Sequence, residues 1–398
     1  MRGRIALIGL SIFSITALQS NAQGTGLNGQ VNTITTGVPF LRISPDARSG
    51  GMGDVGIALS PDANSQYWNL GKIPFSQKKF GVSLTYTPWL RDLVPDISLA
   101  YVSGFAKFGK DDRQAVSASI RYFSLGDINF TGLDAQPIGT GKPREYAFDL
   151  GYSIKLSDYL SGGVGLRYIY SGLLTGLSSQ STANYKPGNT VAADVGFYYT
   201  KTKEVTEFKS NTLSLGVAVT NLGGKISYDA SNSRRDFLPI NLGLGAAYNM
   251  KVDEYNQFTI ALDINKLLVP TPLDSSTTPG VSKYYIPNKS VVSGVLGSFG
   301  DAPGGFSEEL KEFQISLGAE YWYQNQFAVR AGYFYENKLK GDRKYLTLGV
   351  GVRYKVFQLN GSYLVPSGTG ITRNPLSNTF RFSLMFEFDK IETGESSE

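Results

Sequence analysis

The chain contains no cysteine and no histidine in 398 residues. Without cysteine there is no disulfide framework, thiolate nucleophile or cysteine metal site. Without histidine the commonest general base, the Ser-His-Asp triad and nearly every zinc, copper or haem site are excluded. Carboxylate catalysis and oxygen-ligated Ca²⁺ or Mg²⁺ survive this cut, but pairing of carboxylates across different strands is not legible in one sequence. No catalytic residue, cofactor or metal is therefore assigned, and the chain does not read as an enzyme. Charge is scarce too, at 18% of residues against about 25% in an ordinary soluble domain. Finally, no segment beyond the N-terminus has about 20 consecutive apolar residues, which excludes a transmembrane helix there.

The N-terminus reads as a secretory signal peptide over residues 1–22. Arg2 and Arg4 supply a basic n-region, residues 5–18 an apolar core too short to span a bilayer, and Ser20-Asn21-Ala22 the small residues before cleavage at Gln23. Removing it leaves 36 basic against 33 acidic side chains, a net +3. That charge is too mild and too scattered to argue for nucleic acid.

What the chain has in abundance is glycine, 46 residues, and aromatics, 24 Tyr, 23 Phe and 3 Trp. From Lys79 onward about ten residues of alternation recur, each run followed by a polar or Gly-rich break. The last is the clearest: Phe380, Phe382, Leu384, Phe386 and Phe388 interleave with Arg381, Ser383, Met385 and Glu387. A period of two puts the first set on one strand face and the second on the other. Such segments lie at 79–87, 96–106, 115–124, 145–154, 160–170, 189–199, 211–220, 240–249, 257–265, 313–323, 327–335, 345–354, 357–365 and 379–388. Fourteen is an even number, as bacterial outer-membrane barrels require. The connections run 8, 8, 20, 5, 18, 11, 19, 7, 47, 3, 9, 2 and 13 residues. From the third onward, long alternates with short except near the 11-residue link, and long outer loops alternating with short periplasmic turns mark a membrane barrel.

The two faces agree with this. Outward positions carry Val164, Leu166 and Tyr168; Leu213, Leu215, Val217 and Val219; Ile240, Leu242 and Leu244; Leu346, Leu348, Val350 and Val352. Their opposite faces are Gly, Ser, Ala, Asn, Thr and Arg. Tyr86, Tyr122, Tyr152, Tyr248, Tyr321, Tyr335 and Tyr354 fall near segment ends, at the lipid headgroup level. Five inward cations, Arg121, Arg167, Arg330, Arg353 and Arg381, balance five acids, Asp149, Asp194, Asp263, Glu320 and Glu387, a balance that favours mutual pairing over a sieve for one ion sign.

The expected architecture is all-β: a 14-stranded antiparallel transmembrane β-barrel over 79–388, with a C-terminal periplasmic tail at 389–398. Residues 23–78, rich in Gly, Asn, Thr and Pro, precede it as a periplasmic or hatch segment, of a size to plug a lumen wider than side chains fill. Residues 266–312 form the longest outer loop. In it, Val291, Val292, Val295, Leu296 and Phe299 fit one helical face, Asp301-Ala302-Pro303-Gly304-Gly305 breaks the helix, and Ser307 is placed to cap a second short helix.

Gly51-Met52-Gly53-Asp54-Val55-Gly56 has dinucleotide-fingerprint spacing, but no strand precedes it, Pro61 follows, and no acid lies between Asp62 and Asp92. Glycines of a packed plug explain it better. Asp111-Asp112 reads as a solvated turn, and Asp229 with Asp236 as an outer-loop pair beside Arg234 and Arg235.

Taken together, Arg48-Ser49-Gly50-Gly51-Met52-Gly53-Asp54-Val55-Gly56-Ile57-Ala58, Asp62-Ala63-Asn64-Ser65 and Tyr67-Trp68-Asn69-Leu70-Gly71 resemble the N-terminal signature of FadL-like outer-membrane barrels, which are fourteen-stranded and carry a hatch. The segment 298–312, Ser-Phe-Gly-Asp-Ala-Pro-Gly-Gly-Phe-Ser-Glu-Glu-Leu-Lys-Glu, resembles the PorV family within that group, the outer-membrane component of the type IX secretion system. The resemblance extends over essentially the whole mature chain. Leu70 stands where FadL-like hatches commonly carry Pro, which favours a protein-handling member.

The resemblance implies a non-enzymatic protein of the Gram-negative outer membrane. Its implied partners are the translocon barrel, the C-terminal signal domains of secreted cargo, a cell-surface sortase or attachment complex, and outer-membrane lipid. It points to Gly51, Met52, Gly53, Asp54, Gly56, Tyr67, Trp68 and Asn69 as the hatch motif. It makes Phe299, Asp301, Pro303, Phe306, Glu308 and Glu309 the candidate cargo or partner loop. The alternative is a FadL-type uptake channel for hydrophobic small molecules, with a ligand pocket between hatch and lumen.

Overall fold

In the computed structural model the alternating segments close into one wall. The structure describes residues 32–90, 96–131, 136–174, 185–232, 234–273, 286–365 and 378–389. The expected signal peptide, the first part of the 23–78 segment and the tail beyond 389 lie outside the described residues. Fourteen antiparallel strands form the barrel: β1 (Phe80–Pro88), β2 (Ser98–Phe108), β3 (Gln114–Ser124), β4 (Arg144–Lys155), β5 (Leu160–Gly172), β6 (Gly188–Thr206), β7 (Lys209–Gly223), β8 (Asn241–Lys251), β9 (Asn256–Leu267), β10 (Gln314–Tyr323), β11 (Phe327–Tyr335), β12 (Lys344–Tyr354), β13 (Phe357–Val365) and β14 (Phe380–Phe388). Each pairs with its sequence neighbours, and β1 seals against β14 in the register Phe80↔Phe388 to Tyr86↔Phe382. A closed sheet leaves no unpaired edge at bilayer depth, where neither water nor lipid satisfies a backbone amide.

Side-chain alternation follows the expected faces. Leu166, Val350 and Val164 are more than half exposed on the outer surface, whereas Arg167, Ser83, Asp149, Thr347 and Arg381 are buried inside. Ile240 is the exception. It precedes β8, is fully buried, and turns inward with Leu238 and Phe237 rather than toward lipid. The irregular 11-residue link also resolves: β6 and β7 run on as one hairpin with only Glu207 and Phe208 between them. The long third connection carries a hairpin of its own, Ile128–Thr131 paired with Pro137–Gly141.

The chain from residue 32 to 78 lies in the lumen and runs from one mouth to the other. At the long-loop mouth, Asn32 N–H donates to the Leu339 carbonyl and Gly37 N–H to the Phe237 carbonyl, each at 2.9 Å. At the short-turn mouth, Lys107 Nζ donates to the Ser76 carbonyl at 2.6 Å, and Phe75 packs on Tyr198. Between them are helix α1 (Ala47–Gly50), helix α2 (Ser65–Trp68) and 3-10 turns at Pro39–Arg42 and Leu70–Phe75. The largest apolar cluster caps the long-loop mouth. Val38, Phe40 and Leu41 meet Leu99, Phe123, Ile169, Phe237, Leu238, Leu267, Leu268 and Val269 there.

The outer loop after β9 contains helix α3 (Val291–Gly297), capped by Ser290 accepting from the Ser293 amide, and helix α4 (Phe306–Glu309). Gly305, with φ of 69°, starts α4, and Ser307 lies inside the helix rather than capping it. The expected apolar face of α3 is divided. Val291 and Val295 pack on the cap cluster, while Val292 and Leu296 point outward.

Candidate functional site

The hatch motif is held by polar keys between the N-terminal segment and the barrel wall. Asp46 caps α1, accepting from the Ser49 amide at 2.9 Å and from Trp68 Nε1 at 2.6 Å, so the start and end of the motif share one carboxylate. The Ala47 amide donates to Ser383 Oγ at 2.9 Å. Arg48 makes a two-pronged contact with Glu320, Nε to Oε2 at 3.1 Å and Nη2 to Oε1 at 2.9 Å, and reaches Asp62 at 3.0 Å. Arg330 Nε binds the same Glu320 at 2.7 Å. One buried acid thus joins hatch to wall between two guanidinium groups, a geometry in which planar forks are strongest.

Gly53 adopts φ of 72°, and its amide donates to Thr347 Oγ1 at 2.8 Å. A side chain there is strained by the backbone and meets the Tyr333 backbone. The amides of Gly56 and Ile57 converge on Asp263 Oδ2 at 2.7 and 2.9 Å. Gly56 lies directly under the Trp68 ring, which leaves no space for a Cβ. Asp54 accepts from the Tyr345 hydroxyl at 2.5 Å and lies 3.5 Å from Arg381. Met52 packs with Val55, Ala58 and Leu59 against Ala247 and Ala261. Tyr67 stacks beneath the Arg121 guanidinium at 4.7 Å, and Asn69 Nδ2 donates to the Phe197 carbonyl at 2.9 Å. Gly51 lies against the Gly349 backbone, so all eight motif residues contact the wall or one another. Leu70, in the position noted above, is buried with Ile73, Phe105 and Ala115.

The inward charges divide between two tasks. Arg167 pairs with Asp149 and Asp194, wall to wall. Asp263, Arg121 and Arg381 contact the hatch, Arg121 through the Leu41 carbonyl at 2.9 Å, and Glu320 does both, joining Arg330 of the wall to Arg48. Mutual pairing across the wall accounts for only part of the set.

A cavity of about 110 Å³ remains between hatch and wall, lined by Arg42, Asp54, Tyr67, Arg167, Asn221 and Tyr345 among others. At roughly 30 Å³ per water it has room for a few waters, and the polar half of its lining offers them partners.

At the long-loop mouth the six candidate loop residues separate into scaffold and surface. Glu309 is buried, accepts from the Ala302 amide at 2.8 Å and pairs with Lys266 at 3.1 Å. Glu308 binds Lys340 at 2.6 Å and the Gly304 amide at 2.7 Å. Although burial works in the opposite direction, these hydrogen bonds hold the Glu308 carboxyl below the usual range. Glu312, absent from the sequence-based set, links Lys266 at 2.5 Å to Lys340 at 3.0 Å. Asp301 pairs with Lys289 at 3.0 Å, and Pro303 occupies the turn before α4. The acids build the loop, leaving Phe299 and Phe306 as its outward residues. Val292, Leu296 and Leu310 are exposed as well, with Phe306 76% and Leu296 72% exposed.

Residues 27–274, more than half of the chain, match the family described as type IX secretion system protein PorV. The chain belongs to the PorV family. Its membership makes it a component of the type IX secretion system, and its fourteen-stranded barrel is consistent with the outer membrane. No curated protein matches this PorV-family chain. Among solved structures it is similar to the Pseudomonas putida toluene transporter TodX, at 10% identity over 87% of this chain and 99% of that one, TM-score 0.48. Similarity extends to the Ralstonia pickettii toluene transporter TbuX, at 12% identity over 86% and 98%, TM-score 0.44. A Pseudomonas aeruginosa FadL homologue is similar at 11% identity over 90% and 99%, TM-score 0.42.

Of the functional residues, the wall partners Thr347, Ser383 and Tyr345 and the loop lysines Lys266 and Lys340 were missed by sequence reasoning. A buried hydroxyl in a strand looks like any other inward Ser or Thr, so no local signal marks it. Lys266 carried none either, since the period of two puts it on the outward face with Leu262 and Ile264 and its burial depends on how the loop folds back.

Proposed function

We propose that this barrel works as a cargo receptor at the cell surface: it binds the C-terminal signal domain of secreted proteins at its long-loop mouth, docks the translocon through its lipid-facing wall, and delivers cargo to the sortase or attachment complex. The observation that carries this reading is the contrast between a lumen occupied from mouth to mouth by the 32–78 segment and a salt-bridged outer loop that exposes Val292, Leu296, Phe299, Phe306 and Leu310. A plugged barrel is poorly suited as the cargo's own conduit. Exposed large apolar side chains on a loop pinned by four buried or half-buried ion pairs have the composition of a binding hot spot.

The test is a gentle-detergent pull-down of the tagged protein from its own membranes, comparing the native chain with a Leu296→Asp/Phe299→Asp/Phe306→Asp variant. Recovery of a very large barrel with both, but of cargo sharing a C-terminal domain only with the native chain, supports the reading. Equal cargo recovery from the two eliminates the loop as receptor. The uptake-channel alternative draws on the cavity between hatch and wall, but three arginines in its lining oppose a hydrophobic ligand. Co-purified hydrocarbon or fatty acid, with secretion intact, would favour that alternative.

A further inference from the structure

The β6–β7 hairpin is unlike every other turn at its end of the barrel. The other connections there, 109–113, 156–159, 252–255, 324–326 and 355–356, return within a few residues. β6 instead continues past its last contact with β5, Leu160↔Tyr199, for residues 200–206 while still paired with β7. Six residues beyond Thr200, at about 3.3 Å each, carry β6 about 20 Å past the end of β5. Residues 201–209 are all exposed.

The projecting hairpin is covered on one side only. β8 follows β7 down to Lys251↔Ser210, so the β7 edge is paired almost to the turn. The β6 edge is open. The Thr200 amide points to that side, donating to the Tyr159 carbonyl at 2.8 Å. Because backbone groups of alternate residues point the same way, Thr202 and Glu204 direct their N–H and C=O groups to the open edge. The hydroxyl contact of Thr202 with Thr212, 2.8 Å, agrees, since side chains approach closely at pairs whose backbone groups point away from each other. The Lys201 and Lys203 side chains alternate with these residues. Lys201 lies over the Tyr159 ring at 5.5 Å, and Lys203 has no acidic partner among the described residues.

We infer that the open β6 edge at residues 201–204 is a docking site for an extended polypeptide strand on the short-turn side of the membrane, recognised through the backbone of Thr202 and Glu204 and through acidic side chains aligned with Lys201 and Lys203. Strand addition to a free edge supplies main-chain hydrogen bonds, and side-chain pairs across the new seam supply selectivity. The lysines select against a second copy of this chain, because edge-to-edge pairing of two such hairpins brings like charges together. The site is on the opposite end from the loop platform and is independent of the cargo reading.

The test uses the full-length protein in nanodiscs of neutral lipid and a fluorescent octapeptide alternating Glu with Val, with a Lys–Val peptide as control. Thr202→Pro/Glu204→Pro removes the two outward N–H donors while sparing the ladder to β7. Gel mobility of the unheated, folded barrel verifies that the wall is intact. The expected result is saturable binding of the acidic peptide, weakened about tenfold or more by the double proline variant. Lys203→Glu is expected to reverse the preference toward the Lys–Val peptide. Equal binding to native and proline variants, or none up to about 1 mM peptide, overturns the proposal. So does a photocrosslinker at Thr202 in cells that yields only dimers of this chain. Proline-sensitive adducts to another polypeptide support it.

Discussion

The upper and lower parts of the hatch are held by different chemistry. At the long-loop mouth, Val38, Phe40 and Leu41 enter an apolar cluster with the loops. Deeper in the lumen the segment from Asp46 to Lys72 is secured by charges, hydroxyls and backbone amides. The wall explains the change. Within the membrane the apolar side chains of each strand mostly face lipid, so the inward face offers chiefly Gly, Ala, Ser, Thr and charge, and hydrogen bonds dominate over the small apolar contacts of Met52 and Leu70 there. Above the membrane the loops are surrounded by water, and hiding apolar surface is as favourable as in a soluble domain. The barrel has an inverted interior at its waist and an ordinary hydrophobic core at its cap.

This comparison is open to direct tests. Glu320→Gln leaves Arg48 and Arg330 competing for neutral partners in a buried site and is expected to cost about 4 kcal/mol, read as a fall in the urea midpoint in detergent. Proteolytic access should increase at residues 46–62 while the cap stays protected. Leu41→Ala should cost about 3 kcal/mol, with faster amide exchange at 38–41 and in the segment around Phe237, and little change at the waist. The two effects are expected to add in the double variant, since separate regions share no partner. Tyr345→Phe deletes one hydrogen bond to Asp54 and should cost about 1 kcal/mol. The smallest effect is a pH response of the loop. The Glu308 carboxyl is held below its ordinary value of 4.5, so its contribution is present above that pH and lost as pH falls through the lower, folded-state value. Amide exchange over 302–312 should therefore accelerate below about pH 4.5 in the native chain, and Glu308→Gln should abolish that dependence.

Most of the wall was legible because alternation is a local property. All fourteen barrel strands lie where the period-two pattern puts them, and the closing strand β14 reads directly from its five aromatic and aliphatic outward residues. The alternation stops at Tyr199 because Lys201 and Lys203 interrupt the apolar face once the strand leaves the bilayer, where no lipid enforces it. Ile240 was assigned to the wrong face since an apolar residue just before a strand continues the alternation on paper, although its backbone already belongs to the loop. The hatch keys were hidden for a different reason. The acid receiving the Gly56 and Ile57 amides is more than two hundred residues away, and nothing in one sequence distinguishes Asp263 from other inward carboxylates. Similarly, Glu308 and Glu309 stood out by their adjacency, while their burial against Lys340 and Lys266 depends on how the loop folds back.

The route of the 32–78 segment bears on how the molecule is made. It enters at the long-loop mouth, passes between walls it touches at every level, and leaves at the short-turn mouth straight into β1, the strand that seals against β14. Once that seam is zipped, the segment is a thread through a ring. Drawing it in afterwards would mean pulling charged side chains such as Arg48 along a bore already occupied by inward-facing Arg and Glu. The N-terminal stretch is therefore expected to be seated while the last strand pair is still apart, with the barrel closing around it. A fault in its polar keys is then expected to appear first as barrels that fail to close, and only secondarily as closed barrels that leak.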